Sequence, residues 1–433
     1  MNKSLNLLRT KIKRLYSRIK KTLVSSFYHF VYPHYTNKNI NSLKAHFSST
    51  GKISVLFLLQ QPEVWNSQKS VYRLLTEDDR FSVSVLAIPR FEATRKRTRS
   101  FTDFSSLKFC RKEGIECNNA LKGPKYVHVS KFKPDFIFIQ KPYEDKLPRC
   151  YSFFNLFKAG LICYIPYFAK MTDDFSHYTA EFNKKFMNSF FYYFADTSNR
   201  FNYVQNWIDE HNLSLLKKPV YTGFPRFDLI SNNICTTDHK SGPTTVLYTP
   251  RGTAATVDLK RDMPGHFIEY IHPLLEFFEN NQDYKLIIRP HPNMIPNYLY
   301  SGIITKSELN ELEERISHSN NISFDSNEDY LVSFSEADIL LADFTSLILE
   351  FFYTAKPILF CDNLWDATGD YLRIANTFYY CSSPTEAINT IRELSHDDSK
   401  KEMRTKLLAE LRPNNQNAAQ AIRDELVSFA SAD

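Results

Sequence analysis

Residues 327–360 read NEDYLVSFSEADILLADFTSLILEFFYTAKPILF, and this stretch decides the fold. Its apolar runs are short and do not alternate with polar residues, which is typical of strands buried on both faces. The patterns predict helices over Glu328–Phe334 and Thr345–Thr354, with strands over Asp338–Ala342 and Pro357–Cys361. Strands separated by helices in this way predict an α/β fold with a parallel sheet.

The same alternation extends in both directions along the chain. The other strands predicted in the second half are Thr245–Thr249, Tyr284–Arg289 and Ile322–Phe324. Those of the first half are Lys52–Leu59, Phe81–Ile88, Asp135–Gln140, Leu161–Ile165, Phe190–Ala195 and Pro219–Thr222. Further helices are predicted at Gln68–Leu75, His266–Asn280, Ser307–His318 and Ala418–Phe429. Two sets of alternating elements predict two Rossmann-like domains that face a cleft.

The domain boundaries follow from changes in composition. Residues 231–243 are polar, contain Gly-Pro and lack periodicity, so they are predicted to be a linker. The segments predicted on either side are an N-terminal Rossmann-like domain over 49–230 and a C-terminal Rossmann-like domain over 244–433. Residues 1–48 form a separate basic segment ahead of them.

The N-terminal segment is strongly cationic. Eleven Lys and Arg residues precede Glu63, which is the first acidic residue of the chain. Between the basic residues of 3–21, Leu and Ile recur at steps of three and four, which predicts a helix with one apolar and one cationic face. Such a helix is typical of proteins that lie on an anionic membrane surface. A helix packed on its own domain is the alternative, and nucleic acid is not expected as a partner.

Glycine and cysteine usage exclude several kinds of site. The chain has only 10 glycines, and neither G-x-G-x-x-G nor a Walker-type phosphate loop occurs. A nucleotide phosphate would therefore be held by side chains and helix N-termini. Seven cysteines without a C-x-x-C pair indicate free thiols in a reducing compartment and no zinc site. No metal site is predicted and no cofactor is certain, although a divalent cation remains open.

Polar residues that could bind phosphate follow three strands of the second half. Ligands of open parallel sheets bind beyond the carboxyl ends of the strands. Arginine can bind phosphate oxygens, hydroxyls at a helix start can donate to an anion, and histidine can donate a proton. The predicted donor-binding residues are Arg251, Arg289, Asp343, Thr345 and Ser346, and His291 is the predicted catalytic residue. His266, His272 and His318 fall in predicted helices, and no chemical role is expected for them.

These residues resemble the CDP-glycerol glycerophosphotransferase family, which includes teichoic acid polymerases and capsule enzymes. The resemblance lies in LIIRPHP at 286–292, in the Asp-x-Thr-Ser element at 343–346 with the Lys-Pro strand that follows it, and in YTGFPRFD at 221–228. It implies a GT-B-like fold, a CDP-alcohol donor and transfer at the inner face of the bacterial cell membrane. It also implies that the domain over 49–230 is the acceptor domain and the domain over 244–433 the nucleotide-donor domain.

The sequence departs from the family pattern at two places, one in each half of the chain. Where the family has Pro-Thr-Trp-Arg, this chain has Pro-Arg-Gly-Thr at 250–253, which moves the arginine by two positions. Where the family's first domain has His-Gly-Thr-Pro, this chain has YIPYFAK at 164–170, so the expected histidine base is missing. Lys170, His177 and Asp173 are the candidates left for the acceptor side.

The resemblance and the residues together imply a transferase. The expected reaction moves glycerol phosphate, or a similar polyol phosphate, from a CDP-linked donor to an anionic glycan or lipid-linked acceptor and releases CMP. The alternative is a GT-B glycosyltransferase that uses a CMP-sugar or another nucleotide sugar for capsule or lipopolysaccharide synthesis. A non-enzymatic glycan-binding protein with a degenerate site is a third interpretation. The expected location is peripheral, at the cytoplasmic face of the cell membrane.

Overall fold

The computed structural model describes most of the chain. The described residues are 31–93, 99–144, 147–168, 182–213, 216–233, 242–251, 265–325, 327, 330–361, 369–411 and 417–432. The predicted basic helix of residues 3–21 lies outside them, as do Lys170, Asp173 and His177.

The elements up to residue 223 are mostly short strands joined by helices. In chain order they are α1 (residues 31–50), β1 (Ile53–Leu59), α2 (Asn66–Glu77), β2 (Phe81–Ala87), β3 (Arg90–Ala93), β4 (Arg99–Asp103), α3 (Ser105–Lys112), β5 (Asn118–Asn119), β6 (Leu121–Lys122), β7 (Lys125–Tyr126), β8 (Phe136–Ile139), α4 (Phe153–Phe157), β9 (Leu161–Tyr164), α5 (Lys184–Met187), β10 (Tyr192–Ala195), α6 (Ser198–Glu210) and β11 (Lys218–Tyr221). Short 3-10 turns lie at Pro62–Val64, Val129–Phe132 and Arg149–Tyr151.

The elements after residue 223 repeat the alternation with longer helices. In chain order they are α7 (Pro225–Asn233), β12 (Thr244–Thr249), α8 (Phe267–Glu279), β13 (Tyr284–Ile288), α9 (Met294–Ser301), α10 (Lys306–Ser317), β14 (Ile322–Phe324), α11 (Leu331–Glu336), β15 (Ile339–Ala342), α12 (Leu347–Phe352), β16 (Ile358–Cys361), α13 (Gly369–Ala375), β17 (Tyr379–Cys381), α14 (Pro384–Leu394), α15 (Lys401–Glu410) and α16 (Ala418–Ser431).

Each half builds its own parallel sheet. The first has the strand order β11-β10-β9-β8-β1-β2-β5 and the second the order β14-β13-β12-β15-β16-β17, and every pairing within them is parallel. Central strands such as β8, β15 and β16 are buried along their whole length. Burial on both faces explains why their sequences do not alternate. The predicted fold class, two Rossmann-like α/β units, is confirmed.

Each sheet reverses direction once, beside its first strand. In the first sheet the chain passes from β1 to β2 and β5 on one side, then returns to β8 on the other side. In the second sheet it passes from β12 to β13 and β14, then returns to β15. We call the β1/β8 edge the first switch point and the β12/β15 edge the second switch point. Ligands of doubly wound sheets bind at such edges, beyond the carboxyl ends of the strands.

The chain divides into two compact units whose limits differ from the predicted domains. One unit takes the described residues within Met1–Tyr167, Phe175–Gly223 and Ala419–Asp433, and the other takes those within Phe168–Asp174 and Phe224–Ala418. Helix α16 packs with the first unit because its Glu425 accepts a hydrogen bond from Tyr192 at 2.7 Å and its Phe429 contacts the ring of Phe191. The expected donor domain therefore loses its last helix to the other unit.

Helix α1 also belongs to the first unit. Tyr32 and Leu43 are buried, and the Tyr32 hydroxyl donates to the Phe190 carbonyl at 2.5 Å. His46 Nδ1 lies 2.8 Å from the buried Asp135 carboxylate. The described part of the predicted 1–48 segment is thus packed on the first unit. Among the described helices, none is long and apolar enough to cross a membrane.

Candidate functional site

The three polar strand ends of the second unit follow neighbouring strands. Strand β12 lies between β13 and β15, with Tyr248 opposite Ile288 and Thr249 opposite Ala342. Because all three strands are parallel, the residues that follow them lie at the same edge of the sheet. This edge includes the second switch point.

Asp343 is the centre of this edge. Its side chain is fully buried, and one carboxylate oxygen, Oδ2, accepts from the backbone N–H of Arg251 at 2.8 Å and of His266 at 3.1 Å. The other oxygen, Oδ1, lies 2.8 Å from Nδ1 of the His266 ring. The Asp343 carboxylate therefore joins the end of β15 to the end of β12 and to the start of α8. A carboxylate with this many hydrogen-bond partners is held rigidly.

Arg251 brings a cation to the same edge. Its guanidinium lies over the Phe344 ring, with 5.4 Å between the guanidinium carbon and the ring centroid, and its Nη1 is 3.5 Å from the Phe344 carbonyl oxygen. The arginine that is displaced in sequence from the family position thus remains at the second switch point.

His291 lies beside Arg251 and is held in one tautomer. Its backbone N–H donates to the Pro250 carbonyl at 3.3 Å, and its Nδ1 accepts from the backbone N–H of Asn293 at 3.2 Å. Partial burial and the nearby Arg251 cation lower the pKa of His291 below its usual value. A neutral ring whose Nδ1 accepts must carry its proton on Nε2. His291 can therefore donate a hydrogen bond to a phosphate oxygen through Nε2.

Arg289 is directed to a different set of partners. Its Nη1 donates to the Asp325 carboxylate at 2.6 Å and to the Asn327 carbonyl at 2.9 Å, and its guanidinium lies over the Tyr330 ring. Although burial opposes the charge of Asp325, hydrogen bonds from Ser333 and Arg289 lower the pKa of that carboxyl below its usual range. Arg289 thus ties β13 to the segment after β14, and its positive charge is partly neutralised.

Thr345 and Ser346 lie at the start of α12. The Thr345 hydroxyl oxygen accepts from the backbone N–H of Leu347 at 3.0 Å, which explains why the helix begins two residues later than predicted. Ser346 is exposed, so its hydroxyl can reach a ligand. The structure therefore gives Thr345 a capping contact and leaves Ser346 as the more accessible of the two hydroxyls.

A buried charge network behind this edge was not predicted. Arg226, from the YTGFPRFD element, donates to the fully buried Glu350 of α12 at 2.8 Å, and the Tyr330 hydroxyl donates to the same carboxylate. Burial raises the pKa of Glu350, against the opposing effect of Arg226 and Tyr330. Asp228 accepts from the backbone N–H of Ala418 at 3.0 Å. A glutamate inside the apolar run LILEFF was the sequence signal for a buried partner.

His266 is the site residue that sequence reasoning missed. It precedes α8 instead of lying inside the helix, and its ring is 20% exposed while its partner Asp343 is fully buried. The Gly265 directly before it was a signal that the helix starts later. The partner is 77 residues away in the sequence, so no local pattern could show the pair.

At the first switch point, a neutral side chain, Gln140, has the position that Asp343 has at the second. Gln140, directly after β8, accepts from the backbone N–H groups of Gln60 and Gln61 at 2.8 and 2.9 Å, and donates to the Gln61 carbonyl at 3.0 Å. These residues, with Lys141 and Tyr143, line a small open pocket whose volume is about 20 Å³. The Lys141 ammonium lies 5.3 Å from the centroid of the Tyr143 ring.

Within the described residues, no group of three His, Cys, Asp or Glu could hold a metal ion.

Comparisons with known proteins agree with this architecture. A structure of UDP-GlcNAc 2-epimerase from Neisseria meningitidis bound to UDP-GlcNAc is similar, with a TM-score of 0.56, 13% identity, and coverage of 87% of this chain and 100% of that chain. A variant of the wall teichoic acid polymerase TagF soaked with CDPG is similar, with a TM-score of 0.52, 13% identity, and coverage of 93% and 97%. At such identities the likeness shows the fold, which is GT-B-like. No curated protein matches the sequence significantly.

The family is shown by the sequence itself. The model described as CDP-Glycerol:Poly(glycerophosphate) glycerophosphotransferase matches residues 181–421, which is more than half of the chain. The matched range contains the second switch point with Arg251, His291 and Asp343, and it confirms the resemblance inferred from the motifs. The chain therefore belongs to the CDP-glycerol:poly(glycerophosphate) glycerophosphotransferase family and is a transferase of that kind.

Proposed function

We propose that this chain transfers glycerol phosphate, or a similar polyol phosphate, from a CDP-linked donor to a hydroxyl group of a glycan or a lipid-linked acceptor. Family membership gives the donor class. The observation that supports a donor site in the second unit is the Asp343 carboxylate, which holds the residues after β12 and before α8 at the second switch point.

The proposed reaction is a direct displacement at phosphorus. The acceptor oxygen attacks the distal phosphorus of the donor, the bond from that phosphorus to the bridging oxygen breaks, and CMP leaves with the electron pair. Negative charge is then shared by the equatorial oxygens and the bridging oxygen. Catalysis of this kind depends on positioned cations and hydrogen-bond donors, and each donor contributes roughly 10²–10³-fold to the rate.

The second switch point supplies such groups. Arg251 provides the cation, and the Nε2–H of His291 and the exposed Ser346 hydroxyl provide hydrogen bonds. Asp343 positions Arg251 through its backbone N–H without contacting the donor. Arg289 contributes its remaining positive charge at the end of β13. Because Asp343 is fully buried, we assign it a positioning role.

The pocket at the first switch point is the proposed acceptor site. Amide groups such as those of Gln60 and Gln61 donate and accept hydrogen bonds, as the hydroxyls of a sugar or polyol do. Lys141 at the same pocket would attract a phosphate of an anionic acceptor chain. This assignment replaces none of the earlier candidates, since Lys170, Asp173 and His177 lie outside the described residues.

We also propose that the chain works at the cytoplasmic face of the membrane, held there by its basic N-terminal segment. Four replacements, Lys11, Lys13, Arg14 and Arg18 by Glu, should release the protein from vesicles that contain phosphatidylglycerol. The matched control reverses four exposed lysines elsewhere: Lys122, Lys125, Lys306 and Lys406. Equal sedimentation of the two variants would contradict the membrane proposal.

The test of the function measures CMP release by the whole protein with CDP-glycerol, CDP-ribitol, CMP-sialic acid and UDP-GlcNAc as donors. Only the CDP-alcohols should be consumed, and calorimetry should show tighter binding of CMP than of UMP. The Arg251→Gln variant should lose about 10²-fold or more in turnover, whereas Arg315→Gln, in a surface pair with Glu279, should not. Consumption of a sugar nucleotide without any CDP-alcohol turnover would overturn the proposal.

A further inference from the structure

We propose that His266 is the acid of this reaction, donating a proton from its ring to the bridging oxygen that leaves with CMP. The inference rests on the proposed function and deepens it, because it names the group that assists departure of the leaving group. It depends on the geometry of two histidines at one edge of the second sheet, His266 and His291.

The two histidines differ in what their Nδ1 atoms face. Nδ1 of His291 accepts from a backbone N–H, which can only occur when that nitrogen carries no proton. A neutral imidazole in this tautomer can donate a hydrogen bond, but it has no acidic proton to transfer near neutral pH. The lowered pKa of His291 agrees with this geometry. His291 is therefore suited to bind phosphate and unsuited to protonate a leaving group.

The Nδ1 of His266 faces a carboxylate instead. Nδ1 lies 2.8 Å from the fully buried Asp343 oxygen. Because a carboxylate oxygen accepts hydrogen bonds, we infer that Nδ1 carries a proton and donates. A buried carboxylate at this distance stabilises the protonated ring and fixes its orientation, as in the acid–base pairs of hydrolases. In the protonated ring the second N–H is on Nε2, on the side opposite the carboxylate. The His266 side chain is 20% exposed, whereas Asp343 is fully buried.

Among the described residues, Arg251 and Tyr270 also contact this pair. The Arg251 backbone N–H shares Oδ2 of Asp343, while its guanidinium lies over Phe344. The Tyr270 ring contacts the His266 ring, and burial keeps the Tyr270 hydroxyl neutral because it raises the pKa of that group. The same cause raises the pKa of Tyr248 and of Tyr298, the latter to about 12, and Asp343 adds to both shifts. Cys381 also interacts electrostatically with His266.

The proton balance of the step is simple. The acceptor oxygen forms its bond to the distal phosphorus as the bond to the bridging oxygen breaks, and the bridging oxygen takes the electron pair. The Nε2 proton of His266 passes to that oxygen, which leaves as part of CMP. The proton of the acceptor hydroxyl goes to solvent, and His266 recovers its proton from solvent before the next turnover.

The competing explanation is that His266 only caps α8 through Asp343. The His266→Asn variant separates the two roles, because the Asn amide nitrogen takes the place of Nδ1 and can still donate to Asp343, whereas nothing replaces Nε2. The matched control is His272→Asn, an exposed histidine on the same helix. All variants are made in the full chain.

Each variant is measured for CMP release from CDP-glycerol across pH 5–9, for CMP affinity by calorimetry, and for thermal melting. We expect His266→Asn to lose about 10²–10⁴-fold in kcat, with CMP affinity and melting temperature close to those of the wild type. We expect the kcat of the wild type to decline at high pH, because its acid loses a proton there. In His266→Asn this decline should be absent. His272→Asn should match the wild type throughout.

Two outcomes would overturn the inference. If His266→Asn retains more than about a tenth of the wild-type kcat, or keeps the high-pH decline unchanged, His266 is only a cap. If the wild type itself consumes no CDP-alcohol, the proposed function fails and takes this inference with it. The two failures are distinguishable because one appears in the variant alone and the other in the wild type.

Discussion

The two switch points use the same backbone device with different chemistry. In the first unit the residue after β8, Gln140, accepts from the backbone N–H groups that follow β1. In the second unit the residue after β15, Asp343, accepts from the backbone N–H of Arg251, two residues after β12. In both cases the returning strand holds the residues after the first strand in place.

The difference lies in what else each side chain can bind. The amide of Gln140 is neutral and also donates to the Gln61 carbonyl, so its hydrogen bonds close on the same short segment. The carboxylate of Asp343 can only accept hydrogen bonds. Besides the backbone N–H of Arg251, it contacts the ring of His266, which precedes α8. A change from amide to carboxylate at one position thus converts a neutral pocket wall into a charged one with an ionisable ring. This comparison predicts that chemistry resides in the second unit.

The strongest test removes the charge that distinguishes the second switch point. Asp343→Asn keeps the size of the side chain but cannot stabilise a protonated His266, and its amide N–H would face another donor. We expect turnover to fall by about 10²–10⁴-fold, with a loss of about 1–3 kcal/mol in stability from the unsatisfied buried donor. CMP release and thermal melting check both parts. Wild-type turnover in Asp343→Asn would mean that the carboxylate has no functional role.

A second test asks whether every buried charge of the second unit serves the reaction. Arg226 and Glu350 form a buried pair, and removing one partner of such a pair costs about 3–5 kcal/mol. Arg226→Met should therefore lower the apparent free energy of unfolding by about that amount. Turnover per folded molecule should stay within a few-fold of the wild type. The double variant Arg226→Met with Glu350→Leu should recover stability, and failure to do so would show that the pair is not the cause.

The sequence predicts the fold well because strands buried on both faces leave an unmistakable apolar pattern. The predicted strand Pro357–Cys361 differs by one residue from β16, and the predicted strand Pro219–Thr222 differs by one residue at each end from β11. Helix starts are less well predicted, because a capping residue and the first helical residue share the same periodicity. Both Thr345 and His266 were placed inside helices that begin after them.

The candidate site is predictable only in part, for a physical reason. Strand-end residues such as Arg251, His291 and Asp343 are visible because they follow recognisable strands. Their partners are not, since Asp343 and His266 are 77 residues apart and Arg226 and Glu350 are 124 apart. Pairing across such separations is set by the order of strands in the sheet. The assignment of these residues to donor binding stays a prediction.

A third, smaller effect is expected at the first switch point. Gln140→Ala removes the three hydrogen bonds that hold the Gln60–Gln61 backbone beside the pocket. We expect the KM for the acceptor to rise by about tenfold, which corresponds to the roughly 1.4 kcal/mol of a typical hydrogen-bonding contribution. The affinity for CMP should not change, because the proposed donor groups belong to the other unit. If CMP affinity falls while the acceptor KM is constant, the assignment of the two switch points is reversed.

The smallest predicted effect concerns the proton of His291. Partial burial and the Arg251 cation both lower its pKa, so the folded protein favours the neutral ring. The contribution of this ring to stability is therefore present above its unfolded-state pKa near 6.5. It is lost as the pH falls through the lower pKa of the folded state. Arg251→Gln removes the cation but keeps the backbone N–H that donates to Asp343.

In that variant the pKa of His291 should rise toward the ordinary value without reaching it, because burial is the larger cause and remains. NMR titration of the His Cε1–H resonances measures this, with His291→Asn used for the assignment. As a control, Arg315→Gln, in a surface pair with Glu279, should leave the titration of His291 as in the wild type. A pKa of His291 that does not move would mean that the Arg251 guanidinium exerts no field on the ring. The charged character of the second switch point would then rest mainly on Asp343 and its contact with His266.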